Sequence, residues 1–263
     1  MITASIGSHR FESGPTYHFN GSNFEELSGV VLDPSETLKY VNVLPGVEAT
    51  AAEIREVAAS GIARLAVHGS DFEVLQRAGN MLVDVCNGGT IDEAEFTDQW
   101  NGRDVFHGSG LTNHLMDSAS VLATRKNTAS ETAGIITKEA PTDEGYFVIA
   151  LANGGLISAA RTYLQLTDGD HSFGMIRYSR RKSGDKTPNM YPYPELRKDW
   201  LKQSAEGRQI VVLDEDYATG ETLKTATTYF ATLLETSVVG IAPVEVEGRI
   251  TFNPLVLKSE QLE

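Results

Sequence analysis

The chain has 263 residues, 41% hydrophobic and 22% charged, the balance of a soluble globular protein with room for one large domain or two small ones. A net charge of −14 and a pI near 4.9 exclude a nucleic-acid-binding surface unless the basic residues cluster. The lone Cys86 excludes an internal disulfide framework and reads as a small core residue. The lack of a long apolar run or a signal-peptide core points to a cytoplasmic protein with no membrane partner.

In chain order, residues 29–32 and 63–68 read as strands, while 47–60 and 72–86 have helical periodicity. From residue 146 onward the pattern alternates cleanly. Strand 146–151 leads through the turn Ala152-Asn153-Gly154-Gly155 into helix 156–166, and strand 173–177 follows. The polar stretch 178–208 carries Gly184, Pro188, Pro192 and Pro194 and is too long for an ordinary connection, so it is expected to act as a lid. Strand 210–213, helix 221–235 and strand 237–243 complete the alternation, which predicts a parallel sheet covered on both faces.

The most informative stretch is 209–223. The apolar run Ile210-Val-Val-Leu213 ends in adjacent carboxylates, Asp214 and Glu215, and Thr219-Gly220-Glu221-Thr222 then opens a helix. Acids at the carboxyl end of a strand in an open α/β sheet stand where such sheets bind ligands, and they can accept hydrogen bonds from vicinal sugar hydroxyls. A turn that presents backbone N–H groups and two hydroxyls at a helix N-terminus suits a phosphate. Basic residues cluster once, in 177–186, which fits either a small polyanion or a solvated basic loop. The six histidines, at 9, 18, 68, 107, 114 and 171, show no metal-ligand spacing.

This stretch resembles the phosphoribosyl-pyrophosphate (PRPP) motif of the type I phosphoribosyltransferases: a strand, two acids, three variable residues, then Thr-Gly-x-Thr. The resemblance covers about residues 105–245. It implies that Asp214 and Glu215 hold the ribose 2- and 3-hydroxyls, and that Ala218, Thr219, Gly220, Glu221 and Thr222 wrap the 5-phosphate. Asn153, Gly154 and Gly155 would form the pyrophosphate loop, although many relatives carry Arg or Lys near the position of Asn153. Arg177, Arg180, Arg181, Lys182 and Lys186 would supply cations for the departing pyrophosphate, Arg181 and Lys182 as catalytic residues alongside the acid pair. Mg²⁺ would be held by the ligand's own oxygens and water rather than by a protein cage, with Asp214 reaching it through water.

Two weaker similarities lie upstream. Residues 106–119 loosely resemble the Ser-Gly-x-x-Ser hairpin of orotate phosphoribosyltransferases, with Thr112 and Asn113 in place of its usual basic and Ser/His residues. Residues 30–38 resemble the haloacid dehalogenase phosphatases, but Ser35 stands where their second acid belongs. The expected architecture is an α/β, Rossmann-like phosphoribosyltransferase core over 105–263, with an N-terminal cap or hood over 1–104. The expected activity is displacement of pyrophosphate from C1 of PRPP by a nitrogenous, nucleobase-like acceptor, in a homodimer. Ala218 stands where the 6-oxopurine enzymes often carry an Asp, which disfavours a hypoxanthine or guanine acceptor. The alternative is a PRPP-sensing regulator of the same fold without turnover.

Overall fold

The computed structural model describes residues 16–19, 24–26, 31–32, 72–89, 106–107, 126–152, 154–179, 189–191, 197–246 and 251–262, together with the helical positions Glu56, Ala59, Ser60, Ala63, Ala66 and Val67. In the N-terminal half, β1 (Thr16–Phe19), β2 (Phe24–Glu26), β3 (Val31–Leu32) and β4 (Phe106–His107) form an antiparallel sheet in the order β3-β2-β1-β4. The rest of the expected orotate-type hairpin lies outside the described residues. Helix α1 (Phe72–Cys86) follows the predicted periodicity and buries Leu75, Ala78, Met81, Leu82 and Val85 on one side. Positions 63, 66 and 67 are helical, which corrects the strand expected at 63–68. With Ala59 they form an i, i+4, i+7, i+8 apolar stripe, buried at every position.

The second sheet carries the rest of the chain. Helix α2 (Lys126–Glu139) precedes β5 (Tyr146–Ala152), α3 (Gly155–Tyr163) and β6 (Ser172–Ser179). Then come β7 (Asn189–Tyr191), α4 (Lys198–Ala205), β8 (Gln209–Leu213) and the short β9 (Asp216–Tyr217). Helix α5 (Glu221–Leu234), β10 (Val238–Glu245) and β11 (Thr251–Lys258) end it. The strand order is β11-β10-β8-β5-β6-β7, with β9 beside β10. Strands β10, β8, β5 and β6 are mutually parallel, whereas β7 and β11 run antiparallel at the two edges. The sheet is therefore mixed, and its parallel centre matches the predicted alternation.

Strand β5 is buried at every position, as expected of a central strand covered on both faces. Val148, Ala150, Val211, Leu213 and Ile241 pack with α1, α2 and α3, while Phe147, Ile149, Ile210, Val212 and Ala242 pack with α4 and α5. The first of these clusters includes Ala59, Ala63, Ala66 and Val67, so the hydrophobic interior is continuous across the division expected at 104/105. Thr132 and Thr137 donate their hydroxyls to the carbonyls of Thr128 (2.7 Å) and Ala133 (3.0 Å), which satisfies polar side chains within α2.

The expected lid over 178–208 is corrected at both ends. Strand β6 runs on to Ser179, β7 pairs back onto it, and α4 is anchored by Leu201, which is fully buried. Residues 180–188 and 192–196 lie outside the described residues.

Candidate functional site

The sheet order makes the placement of a ligand site a matter of topology. From β5 the chain crosses to β6 on one side and later returns to β8 on the other. Helix α3, which follows β5, packs on one face of the sheet, and α5, which follows β8, packs on the opposite face. The carboxyl ends of β5 and β8 thus form the switch point where open α/β sheets leave a crevice. Both segments singled out in the sequence end there: Gly154-Gly155 after β5 and Asp214-Glu215 after β8.

The two segments are pressed together. A side chain on Gly154 would overlap the Glu215 carboxylate, and a Cβ on Gly155 would lie 2.9 Å from the Leu213 carbonyl oxygen and 3.1 Å from the Asp214 Cα. Two consecutive glycines are required because the start of α3 runs directly against the end of β8. Asp214 still belongs to the sheet through its N–H, which donates to the Ile241 carbonyl (3.1 Å), and Glu215 donates its N–H to the Asp214 carboxylate (3.1 Å).

Neither helix that opens at this point has a side-chain cap. Helix α3 starts from Gly154 and α5 from Gly220, glycines that offer no side chain to cap the first turn; in α5 only the Glu221 N–H is met, by the Thr219 hydroxyl at 3.5 Å. Two positive helix ends therefore flank two acids. In the turn before α5, Ala218, Thr219 and Glu221 are exposed, Thr222 is half-buried and Gly220 is buried. Gly220 has φ +71°, a left-handed conformation that favours glycine. The variable residues between the acids and the glycine turn are tied down, a feature not expected from sequence. Asp216 and Tyr217 pair with Val244 and Glu245 of β10, and the Tyr217 hydroxyl donates to the Asn253 carbonyl (2.9 Å). The apolar runs of β8 and β10 carry no signal for this anchor.

Glu215 is the electrostatic outlier. Its Oε2 is out of contact with solvent and has no hydrogen-bond partner. Burial raises its affinity for a proton well above that of an ordinary carboxylate, and the charges of Asp214 and Asp216 and a hydrogen bond with Asp214 add to the effect. Three acids in a row beside an unsatisfied carboxylate oxygen make this a place where a cation or a set of hydroxyl donors would be well received.

This shift has a stability consequence. A carboxyl whose folded-state pKa is raised contributes stability that is complete below its ordinary value of 4.5 and is lost as pH rises through the folded value. Glu215→Gln mimics the protonated form, so its melting temperature should match wild type near pH 4 and exceed it at pH 8. About 1 kcal/mol would appear as ~2–4 °C. Calorimetric scans across that range check this, and parallel pH profiles would contradict the assignment.

Arg177 stands in register with Ala152, on the strand next to the glycine turn, and also opposite Tyr191 of β7. Asn153, Arg180, Arg181, Lys182 and Lys186 lie outside the described residues. Cys86 is partly buried beside the buried Glu56–Arg161 ion pair. Burial, reinforced by the Glu56 charge, pushes its thiol far above the ordinary range and leaves it a poor nucleophile. Among the described residues no group of three or more His, Cys, Asp or Glu could hold a metal ion, and no helix is long and apolar enough to cross a membrane. Among the described residues, a cleft of about 1020 Å³ lies at the start of β6 rather than at the acid pair.

No protein-family model matches the chain, and no curated protein matches it.

Proposed function

We propose that the chain is a PRPP-dependent phosphoribosyltransferase that displaces pyrophosphate from C1 of PRPP with a nucleobase-like nitrogen acceptor. The observation that carries this reading is the meeting of the Asp214-Glu215 pair with two glycine-started helix N-termini at one switch point. A sugar bearing phosphate at one end and diphosphate at the other needs acids for its hydroxyls and separated anion sites on either side. The first-turn amides of α5, with the Thr219 and Thr222 hydroxyls, would take the 5-phosphate. The amides at the start of α3 would take the diphosphate, with Arg177 one strand away. Asp214 and Glu215 would accept the ribose 2- and 3-hydroxyls, and their charge would favour the positive sugar that develops as the C1–O bond breaks.

The acids fit Mg²⁺ as a partner of the diphosphate, since a row of carboxylates with an orphaned oxygen attracts a cation. Asp214 would reach the ion through water. The ion's contribution would be to neutralise the leaving diphosphate. Hydroxyl donors from the ribose would satisfy the Glu215 Oε2 that has no partner without ligand. Binding should therefore favour the ionised form of Glu215 and lower its proton affinity.

The test is incubation of the protein with PRPP, Mg²⁺ and a panel of nucleobases while pyrophosphate is followed. Release with one base and none without it supports a transferase. Tight PRPP binding with no release under any base would favour a PRPP-sensing protein, and absence of PRPP binding would end both readings.

A further inference from the structure

The chain between the acid pair and the phosphate turn is fastened to β10 and β11 by a closed set of contacts. Strand β9 resumes beside β10 in the register that β8 leaves: Leu213 faces Ile241, and Asp216 faces Val244, three residues on along both strands. The two are one strand interrupted at Asp214 and Glu215, opposite Ala242 and Pro243. Pro243 has no N–H to lend to a ladder, so β10 cannot bond fully at this point. The acid pair is a two-residue bridge with both ends pinned. The near pin is the Asp214 N–H on the Ile241 carbonyl.

The far pin is Tyr217. Its carbonyl accepts the Val246 N–H (2.9 Å), its ring packs against the apolar cluster that α4 and α5 cover, and its hydroxyl donates to the Asn253 carbonyl. That carbonyl is aimed by a bulge in β11. Between the pairs Ala242–Leu255 and Val244–Phe252, Asn253 and Pro254 stand against Pro243 alone. A bulge takes a residue out of the ladder and redirects it. The Asn253 carboxamide donates in turn to the Glu245 carboxylate, and Glu245 is the β10 residue that faces Tyr217. Tyr217, Asn253 and Glu245 therefore close a circuit around the far end of the bridge. Gly220 of the phosphate turn lies against Leu255 of the same strand.

Strands β8 and β10 are already paired from Val238 to Ile241, so the sheet does not depend on this circuit. What the circuit fixes is where Asp214–Gly220 stands. A turn held in place before its ligand arrives binds more tightly, because less order has to be imposed on binding. We infer that Tyr217 is a positioning residue whose hydroxyl, held by the Asn253 bulge and Glu245, sets the acid pair and the phosphate turn in the geometry that takes a ribose 5-phosphate group. The inference rests on the phosphoribosyltransferase reading of this turn, and Tyr217 acts through the turn rather than on reacting atoms.

Tyr217→Phe keeps the ring and the backbone pairing and removes only the hydroxyl. Calorimetric titration should show ribose 5-phosphate bound about fivefold more weakly, the worth of one neutral hydrogen bond. Pyrophosphate with Mg²⁺, which would sit at the start of α3, should bind as in wild type. Amide exchange should quicken at Val246 and within 216–221 and stay unchanged in β5. Asn253→Asp sets a carboxylate against Glu245 and should weaken ribose 5-phosphate likewise. Adding Glu245→Gln should restore the affinity, because the carboxamide and the carboxylate have then traded places. In a Tyr217→Phe background Asn253→Asp should add no further loss, since the carbonyl it displaces no longer holds a hydroxyl. The inference is overturned if Tyr217→Phe binds ribose 5-phosphate as tightly as wild type, loses both ligands equally, or shows no faster exchange in the turn. Failure of Glu245→Gln to rescue Asn253→Asp, or full additivity of the two losses, does the same. Those results in a wild type that binds ribose 5-phosphate overturn this inference alone, whereas a wild type that binds neither ribose 5-phosphate nor PRPP overturns the functional reading with it.

Discussion

Asp214→Asn combined with Glu215→Gln is expected to give a folded protein that no longer binds PRPP. Both residues lie past the last residue of β8, so the double change removes hydrogen-bond acceptors rather than core packing. It also removes two of three adjacent charges. Each charged hydrogen bond lost should cost ~1.5–3 kcal/mol, so the pair should weaken PRPP by roughly 10²–10⁴-fold. Calorimetric titration with PRPP and Mg²⁺ measures this directly, with an unchanged or raised melting temperature as the control. Unaltered affinity in the folded double variant would remove the acids from the site.

Gly220→Val is expected to be the most damaging single change in the phosphate turn. Its φ of +71° excludes a β-branched residue without strain, and a Cβ would lie 2.5 Å from Leu255 Cδ2 of β11. A strained backbone at ~1–3 kcal/mol and overpacking at ~1–3 kcal/mol together predict a loss of ~2–6 kcal/mol. Its melting temperature should fall whether or not the turn binds phosphate, so stability alone does not test function. The informative variants are Gly220→Asn, which tolerates the left-handed region, and Thr222→Ser, which keeps the hydroxyl. The rise in melting temperature with ribose 5-phosphate should persist in Thr222→Ser and shrink in Gly220→Asn, whose Cβ meets Leu255 and must displace the turn that would hold the anion. Equal rises in wild type and Gly220→Asn would place the phosphate elsewhere.

The acid-pair motif and its strand were legible because a fully buried parallel strand is a continuous apolar run, and Ile210–Leu213 is one. Helix α1 was legible for the complementary reason, one apolar face repeating at helical spacing. Three of the elements that escaped show why. The apolar run at 63–68 is short enough to suit either period, and only burial at 59, 63, 66 and 67 distinguishes helix from strand. Helix α4, Lys-Asp-Trp-Leu-Lys-Gln-Ser-Ala, buries only Leu201 and so lacks an apolar stripe. Strand β11 contains Pro254, which reads as a strand breaker and is tolerated there because β11 is an edge.

The sequence by itself determined the chemical vocabulary of the candidate site. Two acids after an apolar strand, a glycine pair after another and a Thr-Gly-x-Thr helix start are local patterns, set by a few residues and their neighbours. Tertiary structure alone decided that these patterns meet. Sheet order is a long-range property, and only the β6-β5-β8-β10 arrangement sets the ends of β5 and β8 side by side. The same packing presses the Glu215 carboxyl onto Gly154, strips one of its oxygens of partners and raises its proton affinity. No local pattern encodes that, because burial of a carboxylate depends on what the rest of the chain brings against it.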